Sequence, residues 1–367
     1  MSRRFSQLLL VTVALTFGCE SPQGAMTADT ETAPVPSVGA RPSERNAPSQ
    51  REVEFPAEGL TLKGSLELPA TSPSSAPSPA VVLIHGSGPH SRDQAAPGQL
   101  NMQFGFEIPV FQQLAARLRN KGFAVLRYDK RTCGPFNGCA DNGYATPTAA
   151  LTMDTLAQDA AAAVSFLAKQ PEVDATRVFV VGHSQGARLA LEVLATERKA
   201  RAAVLLAGSY RPLDQLLQYQ LDFTTEQLRG AGLATDTVER ALEPLQNLRK
   251  QAQAARRGEG GENAAFLKSW IEMDERGNEL VAGLDRPVLA LAGDYDWNVP
   301  PEELEAWKAS FAGAQNNPGH QSALLPCITH ALNCINERDP AKLTPQALGR
   351  EVDETVHQHI ADFLQKF

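Results

Sequence analysis

The sequence predicts an α/β fold in which a mostly parallel central sheet is flanked by helices and carries one helical cap insertion. Five short, nearly continuous apolar runs at 80–84, 123–128, 178–181, 202–207 and 288–292 have the character of strands buried on both faces. Amphipathic stretches at 110–121, 152–169, 186–198 and 302–311 separate them, and strand–helix alternation of this kind belongs to α/β architecture. One interval, between Ala207 and Pro287, holds only polar helical sequence such as 213–228 and 237–256, so a cap over the sheet edge is expected at about 209–284.

From the N-terminus, Arg3 and Arg4 precede an apolar run at 8–17 and then Gly18-Cys19. A basic start, a short apolar stretch and a small residue describe an export leader rather than a buried core helix. The run falls short of the roughly 20 apolar residues a spanning helix needs. Gly18-Cys19 also resembles a bacterial lipoprotein site, with Cys19 lipidated and the domain anchored to a membrane surface. Thr16 and Phe17 depart from that pattern, and simple secretion stays open. Residues 20–50 are rich in Pro, Ser, Ala, Thr and Glu and too poor in apolar groups to offset their ordering entropy, which predicts a disordered tether. The domain then occupies 51–367. It opens with an alternating hairpin (53–55 and 60–68), and a Pro/Ser/Ala patch at 70–79 reads as a surface loop. A terminal helix at 348–367 spaces Val352, Val356, Ile360, Phe363 and Leu364 along one stripe.

The chain has 367 residues, 43% hydrophobic and 21% charged, enough to bury a sizeable core. Its net charge of −8, without like-charge runs, argues against a nucleic-acid partner, which calls for a basic face.

The chemistry centres on Gly182-His-Ser184-Gln-Gly186, placed between a buried strand and a helix. A turn that tight demands small residues two before and two after the serine, and it lifts Oγ off the sheet at a helix N-terminus. Ser184 is therefore the expected nucleophile, against a glycine-flanked turn serine or a dead enzyme. A serine needs a base oriented by a carboxylate, and in such sheets reactive groups gather beyond the carboxyl ends of the strands. His320 begins the last strand-like run (321–325) and falls at the wrong end, while His357 and His359 lie on the terminal helix and are expected to face solvent. His330, just after that strand, is the expected base. Asp285 precedes its strand. Asp294 and Asp296 both follow theirs, and Asp296 is favoured because it has room to turn back. The N–H groups of Ser87 and Gln185 are the expected oxyanion donors. His85 and His183 are expected to pack beside the turns.

Cys133, Cys139, Cys327 and Cys334 make an even set in an exported chain, which suggests disulfides. Local pairs Cys133–Cys139 and Cys327–Cys334 are favoured over crossed ones, the second closing a ring around His330. Zinc held by Cys327, His330, Cys334 and one further cysteine is the rival reading, which would remove the base.

Together these residues resemble one branch of the α/β-hydrolase superfamily, bacterial carboxylesterases related to the serine aminopeptidase and monoacylglycerol lipase group. The matching stretches are His85-Gly-Ser-Gly-Pro89 followed by Arg92-Asp93, Arg127-Tyr-Asp-Lys-Arg131, Gly182–Gly186, and Gly293-Asp-Tyr-Asp-Trp-Asn-Val-Pro300. Similarity runs from about residue 52 to residue 367 and is least specific in the cap. The resemblance implies the α/β-hydrolase fold and hydrolysis of carboxylic esters without a cofactor; a small-molecule ester is the expected substrate, and no metal is expected. Where relatives continue Arg-Gly-x-Gly-x-Ser, this chain reads Arg131-Thr-Cys133-Gly-Pro-Phe-Asn-Gly-Cys139, so substrate preference does not transfer. An exported exopeptidase and a non-catalytic binding protein on the same scaffold remain the competing functions. No group to anchor a peptide terminus is identifiable.

Overall fold

The alternation resolves into one eight-stranded sheet with a strand order that reverses once. The computed structural model describes residues 49–70, 76–96, 108–134, 139, 151–230, 232–261, 263–315, 318–337 and 351–367. The strands are β1 (Ser49–Ala57), β2 (Leu60–Leu68), β3 (Ser78–Ile84), the short pair β4 (Ala95–Ala96) and β5 (Ile108–Pro109), β6 (Ala124–Tyr128), β7 (Val173–His183), β8 (Ala200–Leu206), β9 (Val288–Gly293) and β10 (Gln321–Leu325). The helices are α1 (Val110–Asn120), α2 (Met153–Leu167), α3 (Gln185–Thr196), α4 (Leu213–Gly230), α5 (Thr235–Arg256), α6 (Ala264–Gly283), α7 (Glu302–Gly313) and α8 (Glu354–Leu364). The main sheet runs β1-β2-β6-β3-β7-β8-β9-β10; the pairs β1–β2 and β2–β6 are antiparallel, and the strands from β6 through β3, β7, β8 and β9 to β10 are parallel to one another.

From β3 the chain crosses to β6 on one side and then back to β7 on the other. The crevice at the carboxyl ends of β3 and β7 is thus a topological switch point, the place where open α/β sheets bind ligands. The register Ile84↔Gly182 and Gly182↔Leu205 sets the turns after β3, β7 and β8 side by side.

Period-two alternation divides the core between two faces. Val82, Ile84 and Val180 join a cluster with Leu156, Leu189 and Leu191 of α2 and α3. Val81, Leu83 and Val181 join another with Phe111 and Leu114 of α1 and Val356 and Ile360 of α8. Burying each such side chain contributes about 1.5–3 kcal/mol, which explains why both faces of these strands are apolar. Thr152 starts α2 with a reciprocal cap, since the Thr155 N–H lies 3.2 Å from Thr152 Oγ1 and the Thr152 N–H 3.1 Å from Thr155 Oγ1.

Several details differ from expectation. β1 begins at Ser49, two residues inside the predicted tether. β7 extends back to Val173 through a polar, partly exposed start that apolarity alone could not reveal. Between β8 and β9 there are three helices; α6 buries Phe266, Leu267, Trp270, Ile271 and Met273 on one face. His357 is buried, 1% exposed, because it sits beside Val356 and one turn before Ile360 and Ala361 on the apolar stripe of α8, whereas His359 is exposed. Cys19, the leader and the tether up to residue 48 lie outside the described residues, as do 71–75 of the predicted surface loop. Among the described residues no helix is long and apolar enough to cross a membrane.

Candidate active site

Ser184 occupies the corner between β7 and α3 with φ 56° and ψ −118°. A non-glycine residue held at positive φ costs about 1–3 kcal/mol and persists only where surroundings impose it. Here they do. The Ser184 N–H donates to Leu206 O at 2.8 Å, and its carbonyl accepts from the Ala187 N–H at 3.0 Å. A Cβ on Gly182 would lie 1.9 Å from Gly186 O, and one on Gly186 would lie 2.1 Å from Ile84 O. Both glycines are therefore required by backbone-to-backbone contact. Gln185 is the first residue of α3, where an N–H has no intrahelical acceptor.

His330 and Asp296 meet as the chain order predicts. His330 Nδ1 donates to Asp296 Oδ2 at 2.8 Å, and the other carboxylate oxygen accepts the N–H groups of Asn298 at 2.8 Å and Val299 at 2.9 Å. Asp296 is 3% exposed, so its charge is held by three donors rather than by water. Asp294 is spent differently: its Oδ1 accepts the Cys327 N–H at 2.6 Å and ties β9 to the turn that carries His330. Gly293 closes that turn from below, since a Cβ there would lie 2.0 Å from Ile328 O. His320 is at the opposite end of the sheet, accepting the Val288 N–H at 3.1 Å.

Two side chains, Gln94 and His183, link the turns of β3, β7 and β10 through three hydrogen bonds in series. The Gly86 N–H donates to Gln94 Oε1 at 2.8 Å, and Gln94 Nε2 donates to His183 Nδ1 at 2.9 Å. His183 Nε2 then donates to the carbonyl of His330 at 2.8 Å. The sequence of roles requires a neutral His183, and burial, followed by the nearness of His330, lowers its pKa to about 3. The rings of His183 and His330 stand 4.8 Å apart, which places His330 beside the residue preceding Ser184. His183 is thus structural, as expected, and sets the main chain of His330. His85 is fully enclosed between Phe111 and Tyr128, with ring centroids 5.2 and 5.1 Å away.

The charged residues of the sequence motifs form a brace. Arg92 donates to Asp129 Oδ1 from its N–H at 2.8 Å and to Oδ2 from Nη2 at 2.8 Å. Arg127 Nη2 reaches Glu67 at 3.0 Å and Nη1 meets Asp93. Arg131 grips both oxygens of Asp159 at 2.6 and 2.7 Å. Arg188 of α3 pairs with Asp274 of α6 at 3.1 Å and donates to the carbonyls of Ser209 and Tyr210 at 2.9 Å each, fastening the helical insertion to the helix that follows Ser184. Sequence reasoning missed Gln94, whose only signal was a polar residue near a glycine-rich turn. It also missed Lys130, which stood in plain view after a fully buried strand.

Cys133–Cys139 and Cys327–Cys334 are both disulfides, the local pairing. The zinc alternative needs thiolates at Cys327 and Cys334, and those sulfurs are bonded to each other. The second bridge closes the ring holding His330, in which Cys327 and Leu332 have φ of 61° and 62°. The departure loop between the first pair is described only at Cys133, Gly134 and Cys139.

Comparison with known proteins agrees with this fold. The profile of the Alpha/beta hydrolase family matches residues 81–363. Esterase EstD of Thermotoga maritima is 32% identical over 308 residues, covering 83% of this chain and 66% of that protein, just under two thirds of its length. A Pyrococcus furiosus esterase, Pf2001, superposes with a TM-score of 0.53 at 17% identity, covering 90% of this chain and 96% of the other. A hypothetical protein from Pseudomonas aeruginosa superposes at 0.50 and 17% identity, covering 87% and 94%. At such identities these likenesses concern the fold alone. With the profile spanning most of the chain, and the glycine-flanked corner, the reversed strand order and the Asp296–His330 pair in place, the chain belongs to the alpha/beta hydrolase family.

Proposed function

We propose that the protein is a serine hydrolase that cleaves small carboxylic esters by acyl transfer to water. Ser184 Oγ attacks the ester carbonyl while His330 Nε2 takes its proton, then passes it to the departing alkoxide. Water repeats the sequence in reverse, releasing the acid and regenerating the serine. Asp296 holds the imidazole with Nδ1 as donor, which leaves the Nε2 lone pair for the serine, and stabilises the imidazolium that forms. The N–H groups of Ser87 and Gln185 hold the oxyanion. The observation that carries this reading is the Asp296–His330 hydrogen bond of 2.8 Å, positioned beside the strained Ser184 corner at the switch point of the sheet. The ester class rests on similarity to a protein named as an esterase. Helices α4, α5 and α6 act as the cap that shapes the acyl pocket.

The test compares short-chain nitrophenyl esters with aminoacyl anilides and adds a fluorophosphonate probe. Esters are expected to be cleaved with the higher kcat/KM, and the probe to label Ser184. Preferred anilide cleavage would make the protein a peptidase, and failure to label would make it a binding scaffold.

Two disulfides support a location in an oxidising compartment outside the cytoplasm. A lipid on Cys19 completes the proposal. Membrane-extracted protein is expected to have an intact mass that includes acyl chains on a chain beginning at Cys19; an unmodified mass would refute the anchor.

A further inference from the structure

We infer that Lys130 is a positioning residue for the oxyanion-binding N–H groups, acting through the two peptide segments that supply them. The inference rests on the reading of the site given above. Lys130 follows β6, the strand next to β3, and its side chain passes beneath the turn after β3. Its Nζ donates to the carbonyl of Gly86 at 2.6 Å and to Oε1 of Gln185 at 2.8 Å.

The carbonyl of Gly86 and the N–H of Ser87 belong to one peptide unit. In a trans peptide these two groups point in opposite directions, and the described chain contains no cis bond. Holding the Gly86 oxygen from below therefore aims the Ser87 N–H away from Lys130. A positive charge at the carbonyl end also polarises that unit, strengthening its N–H as a donor. The Gly86 N–H is pinned separately by Gln94 at 2.8 Å, so this peptide turn is held from both sides. A Cβ on Gly86 would lie 3.3 Å from Ser184 Cβ, so the turn also packs directly on the nucleophile corner. The second contact, to the side chain of Gln185, restrains the residue whose N–H is the other donor. One ammonium thus fixes two donors from strands β3 and β7, which must agree in direction to hold a single oxygen.

Its surroundings argue against a purely structural cation. Lys130 is 5% exposed and its acceptors are a carbonyl and an amide, not a carboxylate. The nearby carboxylate, Asp159, is gripped on both oxygens by Arg131. A buried cation with no ion partner among the described residues is costly, and burial brings its pKa down to about 7. The neighbouring His85 and His90 are both lowered by burial first and by this ammonium as a further cause. A methionine would fill the same space without that cost.

The experiment compares wild type with Lys130→Met, Lys130→Gln and Lys130→Arg in steady-state ester hydrolysis and in affinity for an alkyl boronic acid. Boronate adds to the serine and places an oxygen where the oxyanion forms. Removing one oxyanion donor outright costs about 10²–10³-fold in kcat, so misaligning donors that remain is expected to cost about 10–100-fold. In Lys130→Met that loss falls on kcat with KM within about twofold, boronate affinity drops by a similar factor, and Lys130→Arg recovers part of both. Should Lys130→Met fail to fold, Lys130→Gln gives the same comparison. Unchanged kcat, a loss confined to KM, or retained boronate affinity in a folded variant would overturn the inference. A wild type that neither cleaves esters nor binds boronate would instead overturn the functional reading, and this inference with it.

Discussion

Ser184→Ala and His330→Ala, made separately, are each expected to lower kcat for ester hydrolysis by about 10⁶-fold, and the double variant to lose no more than either. The non-additivity follows from the chemistry. Without the imidazole the hydroxyl keeps its proton and stays a weak nucleophile; without the hydroxyl the imidazole has nothing to activate. Either change removes the covalent route whole, and what remains comes from binding and the oxyanion donors. The alanine at 184 preserves the hydrogen bonds that shape the corner, since those to Leu206 and Ala187 use the Ser184 main chain. Thermal unfolding of Ser184→Ala should therefore stay close to wild type, while His330→Ala, which leaves the buried Asp296 Oδ2 without its donor, should lose about 1–3 kcal/mol of stability. Steady-state kinetics with a nitrophenyl ester, together with fluorophosphonate labelling, reads the result. A His330→Ala protein within tenfold of wild type would remove His330 from the mechanism.

Asp296→Asn is expected to cost about 10⁴-fold in kcat, far more than Asp294→Asn. The carboxylate of Asp296 uses one oxygen for the N–H groups of Asn298 and Val299 and the other for His330. An asparagine must keep its carbonyl oxygen on the two N–H donors, so its NH₂ group faces His330 Nδ1. That nitrogen is then forced to accept, the ring proton moves to Nε2, and the lone pair needed by Ser184 disappears. Geometry survives while the tautomer is reversed. Asp294 offers an oxygen to the Cys327 N–H, a role that asparagine can fill. Its replacement should weaken a charge-assisted bond and cost stability on the order of 1 kcal/mol, with kcat within about tenfold of wild type. Kinetics and denaturant unfolding of the two variants separate the roles. The opposite pattern, a catalytic defect at 294 and a merely structural one at 296, would reverse the assignment of the acid.

Much of the frame was legible because it depends on local pattern. Runs buried on both faces spelled the parallel strands to within a few residues, and Gly182 and Gly186 announced a corner that leaves no room for a side chain. The local disulfide pairing could be favoured from spacing. The third insertion helix lies in a stretch that was read as helical without being delimited, and the burial of His357 was missed because a ring beside an apolar stripe can turn either way. Arg92, Arg127 and Arg131 could be recognised as parts of a motif, but not that their partners are Asp129, Glu67 and Asp159.

Sequence alone determined the order of the elements, the corner at Ser184 and a short set of residues able to act with it, since each depends on periodicity or on the steric demands of neighbours in the chain. Tertiary structure alone decided that Asp296 rather than Asp294 faces His330, and that Gln94, His183 and Lys130 tie the turns of separate strands together. Those contacts join residues far apart in the chain, such as His183 and His330, 147 positions apart. Hydrogen bonds of that kind depend on distances and directions across the sheet, which the pattern of apolar and polar residues along a single strand does not carry.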